Sequence, residues 1–88
     1  MIINGIKDLI DRLKEIQGVG VCINIGHKLY GDQNLKCAFQ LLNDEKRLGF
    51  LINKQDIYIE KNRICDIGIK GELYYFADDI MCIKIRKM

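Results

Sequence analysis

The chain has no serine, no threonine and no proline, and His27 is its one histidine. Hydrolases of the nucleophile-plus-base kind need a histidine, a serine, threonine or cysteine, and a third group that orients them. With both hydroxyl residues missing, only Cys22 or Cys82 beside His27 could supply such a set, and neither stands in a recognisable setting. Asp78-Asp79 superficially resembles a catalytic carboxylate pair, but adjacent residues at a strand turn point apart, which makes them a solvated turn. Gly18-Val19-Gly20 lacks the third glycine, the preceding strand and the following helix of a phosphate cradle. The sequence therefore names no catalytic residue and no cofactor site, and the chain reads as a non-enzyme.

Other absences narrow the class further. No apolar run approaches the roughly 20 residues of a membrane span, and no charged-then-apolar leader is visible. The expectation is a soluble, cytoplasmic protein without a membrane partner. The four cysteines, Cys22, Cys37, Cys65 and Cys82, lie far apart with no C-x-x-C pair. Zinc fingers and ribbons cluster their ligands on two knuckles, so no metal site is expected. The thiols read as small core-filling residues kept reduced.

What is present is ample apolar residue in a short chain: 88 residues, 49% hydrophobic and 30% charged, enough for one domain spanning 1–88. Its formal charge of +2 is nearly balanced, without the basic block that dedicated nucleic-acid binders carry. Ile2 to Gln17 forms an amphipathic pattern: Ile3, Ile6, Ile10 and Leu13 at helical spacing, widened by Ile2, Leu9 and Ile16, with charged residues opposite. Asn4 is the expected N-cap and Gly18 the C′ glycine.

The rest alternates as about six or seven short strands. Val19 to Ile25 is the first and Leu35 to Leu41 the second, separated by the long loop Gly26 to Asn34. From Leu48 to Arg86 the turns predict a meander. Lys70-Gly71 sets Ile69 opposite Glu72, the turn Ala77 to Ile80 sets Phe76 opposite Met81, and Asn53 to Asp56 sets Ile52 opposite Ile57. A loop over Lys61-Asn62-Arg63 pairs Ile59 with Cys65. One face then carries Phe50, Ile52, Ile57, Ile59, Cys65, Ile67, Ile69, Tyr74, Phe76, Met81, Ile83 and Ile85. The fold class is α+β, a curved antiparallel meander closed by the N-terminal helix. Small SH3-like and Sm-like barrels are built in the same way; this is likeness of plan only, since no residue motif of theirs is present.

Function then falls to the opposite face, read as Tyr58, Glu60, Ile64, Asp66, Leu73, Tyr75, Ile80, Cys82, Lys84 and Arg86. Apolar groups beside charges on a solvated face suit protein docking, and the candidate surface is Tyr58, Leu73, Tyr75, Ile80, Lys84, Arg86 and Lys87. The expected role is a small domain that binds a surface of a larger, unidentified partner. Its size suits an accessory or inhibitor protein of the kind mobile elements encode. The alternative is a module for single-stranded nucleic acid, with Tyr58 and Tyr75 stacking bases and the basic C-terminal strand neutralising phosphates. A homodimer is expected from the wide helix stripe and from Ile80 to Arg86 as an unpaired sheet edge.

Overall fold

The computed structural model describes residues 5–88. Among these residues one helix, α1 (Ile6–Ile16), precedes eight strands. They are β1 (Val21–His27), β2 (Gly31–Cys37), β3 (Gln40–Asn43), β4 (Arg47–Ile52), β5 (Gln55–Glu60), β6 (Asp66–Lys70), β7 (Leu73–Ala77) and β8 (Met81–Lys87). A 3₁₀ turn, Lys61–Arg63, lies between β5 and β6. All pairings are antiparallel, in a five-stranded sheet of order β2-β1-β8-β7-β6 and a three-stranded sheet β3-β4-β5. The α+β class is as expected, and the strand count is one or two higher.

The helix begins after Gly5, which occupies the N-cap position; Ile2, Ile3 and Asn4, the expected cap, lie outside the described residues. Leu9, Leu13 and Ile16 are its buried centre, and Ile6 and Ile10 pack against the core from the flank. The stripe therefore centres on Leu9–Leu13 rather than on the Ile3–Ile10 line. Gly18 follows with φ +81, as a C′ glycine should. The helix rests against β3 and β6, one strand from each sheet, and so closes the space between them. Three aromatic rings join the sheets across that space. Phe39 meets Phe50 edge-on at 4.8 Å, and Phe50 meets Phe76 at 6.0 Å, both within the range where such pairs add to the stabilisation from burial alone.

Several expected pairings are corrected. At three turns the register differs by two positions while the faces are kept. Lys70 pairs with Leu73 and Ile69 with Tyr74, because the turn is Gly71-Glu72 with Gly71 at φ +60. A positive φ at the first central residue is the type II′ arrangement, which glycine alone adopts without strain. Phe76 pairs with Ile83, not Met81. Ile52 pairs with Gln55, because Asn53 (φ 50) and Lys54 (φ 67) form a two-residue turn with both residues left-handed. Across the β3–β4 turn Leu41 pairs with Phe50.

Two corrections alter the topology. β5 and β6 do not pair; the 3₁₀ turn carries the chain from one sheet to the other, burying Ile64 and exposing Cys65, the reverse of the expected faces. And Gly26 to Asn34 is mostly strand: β1 and β2 form a hairpin with His27 opposite Gly31, its turn being Lys28-Leu29-Tyr30. The chain breaks between β2 and β3 at Ala38-Phe39, so the run Leu35 to Leu41 is shared by both sheets. The last strand is no edge. β8 lies in the middle of its sheet, between β1 and β7. The edges are β2 and β6, which present Asp32, Lys36, Asp66 and Lys70, charges that discourage further pairing. The expected dimer thereby loses its unpaired edge and retains only the helix stripe.

Candidate interaction surfaces

The core takes the odd-numbered residues of β1 and β8: Val21, Ile23, Ile25, Ile83 and Ile85 are all buried. The even-numbered ones therefore face outward, and the register places them in rows across the sheet. One row reads Lys36, Cys22, Arg86, Leu73, Lys70. The middle row reads Asn34, Asn24, Lys84, Tyr75, Gly68. The third reads Asp32, Gly26, Cys82, Ala77, Asp66. The helix lies on the other side, so this face is open, basic at one end and acidic at the other.

Tyr75 dominates the face. A Cβ placed on Gly68 would lie 2.0–2.4 Å from three atoms of the Tyr75 ring and hydroxyl, so the ring lies directly over the glycine. An aromatic side chain covering an edge-strand glycine restores the burial the glycine lacks. Across the strand Tyr75 faces Lys84, and Leu73 faces Arg86, each two residues beyond the partner that pairing Phe76 with Met81 gives. In the middle row Asn24 donates from its amide to Asn34 Oδ1 at 2.8 Å. The Cys82 thiol is pushed up, chiefly by burial and then by Asp66 and Asp32 against the opposing pull of Lys84, which disfavours a nucleophilic thiolate there.

Of the expected surface, Leu73, Tyr75, Lys84 and Arg86 share this open face. Lys87 caps the basic end of β8 with the parity of the inward residues. Tyr58 is elsewhere. It lies in β5 of the other sheet, opposite Gly49, with the Arg47 guanidinium 5.2 Å from its ring centroid. Arg47 is held there by Asp44, which accepts from Arg47 Nε at 2.7 Å and from the amides of Lys46 and Arg47 at 2.9 and 2.7 Å. The Arg47 guanidinium, then the Lys46 amide, hold the Asp44 carboxyl below the usual carboxylate range. Tyr58 and Tyr75 thus stand on different sheets.

Ile80 is also separate. It lies in the β7–β8 turn, where Asp78 Oδ1 accepts the amides of Ile80 and Met81 at 2.8 and 2.7 Å; the Asp78-Asp79 pair is indeed a turn device. Lys28 N–H donates to the Ile80 carbonyl at 3.0 Å, so this turn adjoins the tip of the β1–β2 hairpin. At that tip sequence reasoning missed two residues. Leu29 is 78% and Tyr30 85% exposed, beside Ile80 at 39%. The signal was available: large apolar residues at turn positions, where polar ones are the rule. The backbone is tied down, with Leu29 N–H donating to His27 Nδ1 at 3.0 Å and the His27 and Tyr30 rings 4.6 Å apart.

An open groove of about 1030 Å³ lies beside the start of α1, lined by Ile6, Ile10 and Ile64 and by charged residues such as Lys46 and Glu60. No group of three or more histidine, cysteine or acidic residues gathers as a metal site among the described residues. Nor is any described helix long and apolar enough to cross a membrane. No protein family, curated protein or solved structure matches the chain.

Proposed function

We propose that the chain is a non-enzymatic interaction domain that docks on a larger protein through the tip of the β1–β2 hairpin, inserting Leu29 and Tyr30 into an apolar recess with Ile80 at the margin. The observation that carries this reading is the exposure of Leu29 and Tyr30, 78% and 85%, at adjacent positions of one tied-down turn. A convex apolar knob fits a concave apolar site, and tyrosine is among the residues that dominate binding energy when so placed. The turn is already ordered by its hydrogen bonds to His27 and Ile80, so less conformational freedom is lost on binding. A domain of this kind acts by occupying a surface of its partner, the mode of an accessory or inhibitor protein.

The test compares the wild-type domain with a Leu29→Ser/Tyr30→Ser variant, each immobilised and exposed to extract of the native host. Because neither side chain is part of the core, the thermal midpoint should be unchanged within a degree or two. A protein retained by the wild type and lost by the variant supports docking at the tip. Identical retention by both would sink it.

A further inference from the structure

The open face of the five-stranded sheet is a second surface, its basic end remote from the tip along the strands, and its chemistry differs. Four cations, Lys36, Lys70, Lys84 and Arg86, crowd its first two rows, while its two carboxylates, Asp32 and Asp66, stand in the third. Lys36 and Lys70 sit on the two edge strands, about 19 Å apart at the usual strand spacing. Among the side chains between and beside them is Tyr75, half-buried because its ring rests on Gly68. A ring braced by backbone on one side has its other side free for a planar group. Basic side chains along a backbone track, with an aromatic platform next to them, are the two parts of a single-strand nucleic-acid site.

We propose that this face binds a short stretch of single-stranded nucleic acid, its phosphates contacted by Lys36, Arg86 and Lys70 of the first row and by Lys84 of the second, with one base stacked on Tyr75. Charge decides the orientation: the phosphates take the basic end, and the carboxylates of the third row keep the backbone from crossing to the other end. The Asn24–Asn34 amides lie in the same row as Tyr75 and offer polar edges to a neighbouring base. An acidic protein segment would satisfy the cations but has no need of Tyr75, and this separates the two occupants. The site is independent of the hairpin tip, so either proposal stands or falls alone.

The experiment is fluorescence anisotropy of labelled oligo-dT and oligo-U at several salt concentrations, with poly-glutamate as competitor. Four phosphate contacts on a single strand give a log–log salt slope of about −3. Tyr75→Ala should weaken binding about tenfold, the loss of one stacked base, and Tyr75→Phe should restore it. Lys84→Gln/Arg86→Gln should reduce the slope by about 1.4, and this arm stands even if Tyr75→Ala is poorly folded. The Leu29→Ser/Tyr30→Ser variant should bind the oligonucleotide as the wild type does. The proposal is overturned by absence of saturable binding, by binding indifferent to Tyr75, or by poly-glutamate competing as well as unlabelled oligonucleotide.

Discussion

Each sheet contains a glycine directly opposite a tyrosine: Gly49 with Tyr58 in the three-stranded sheet, Gly68 with Tyr75 in the five-stranded one. The pairs look alike in the register and differ in what surrounds them. Beside Gly49 it is main chain that crowds in: a Cβ there would lie 2.0 Å from the Ile57 carbonyl oxygen and 2.5 Å from the Tyr58 Cα. Beside Gly68 the neighbour is only the end of the Tyr75 side chain. Tyr58, still 38% exposed, carries the guanidinium of Arg47 over its ring, held by Asp44 and Asp56, whereas Tyr75, half-buried, rests on Gly68 with Lys84 across the strand. One aromatic is held by a cation of its own sheet, the other by the backbone of its own. An exposed tyrosine is thus a candidate contact only once its intramolecular partners are known.

The contrast can be broken most forcefully at Gly49. Gly49→Ala drives a methyl group into backbone that cannot move without parting β4 from β5, and should cost about 3 kcal/mol or more. Chemical denaturation would read this directly, and a wild-type-like midpoint would refute the close approach. Gly68→Ala should be far milder, about 1 kcal/mol, since the Tyr75 ring swings aside at the expense of a poorer rotamer. That swing should also lower affinity for oligo-dT, so a variant with full affinity would argue against the braced-ring geometry.

The smallest effect concerns the guanidinium over Tyr58. The Asp44 carboxyl is held below its ordinary value in the folded state, so its contribution is fully present above the unfolded pKa and is lost as pH falls through the folded one. Asp44→Asn should therefore be slightly less stable than wild type at neutral pH, with the gap closing below about pH 4. Because both partners are well exposed, the difference will be small. In the same variant the hold on Arg47 loosens, and Tyr58 should be quenched more readily by added iodide. An unchanged gap down to pH 2 would remove Asp44 from the account.

These pairs also show what was legible beforehand. Strand parity assigned Tyr75, Leu73, Lys84 and Arg86 to one face correctly even though three turns were misplaced. An error of two residues in register leaves every side chain on its own face. The division into two sheets was hidden, and with it the separation of Tyr58 from Tyr75. Its sign was a lapse in alternation: Ile57 and Ile59 are inward, then Ile64, then Ile67 and Ile69, and the even-numbered Ile64 marks where the chain leaves one sheet for the other. Taking Cys65 as inward instead smoothed that lapse away. β2 was hidden for another reason. Gly31 to Asn34 is an edge segment whose side chains are exposed, so it lacks the apolar alternation that reveals a strand, and its backbone bonds come from β1. The gap at Ala38-Phe39 left no mark, because Phe39 stays buried and keeps the alternation going.

The placement of β8 has a kinetic consequence. Its partners are β7, a short turn away, and β1, which precedes it by more than half the chain. Until β8 is in place the five-stranded sheet is only two unconnected hairpins, β1–β2 and β6–β7, with neither Ile83 nor Ile85 available to fill the space between them. Such high contact order makes loop closure, not local propensity, the barrier, and folding on the millisecond-to-second scale is the expectation. During synthesis the nascent chain can form its early hairpins, but it commits to the complete sheet only when the final strand clears the ribosome. Deleting β8 should therefore abolish the sheet as a whole and not merely shorten it.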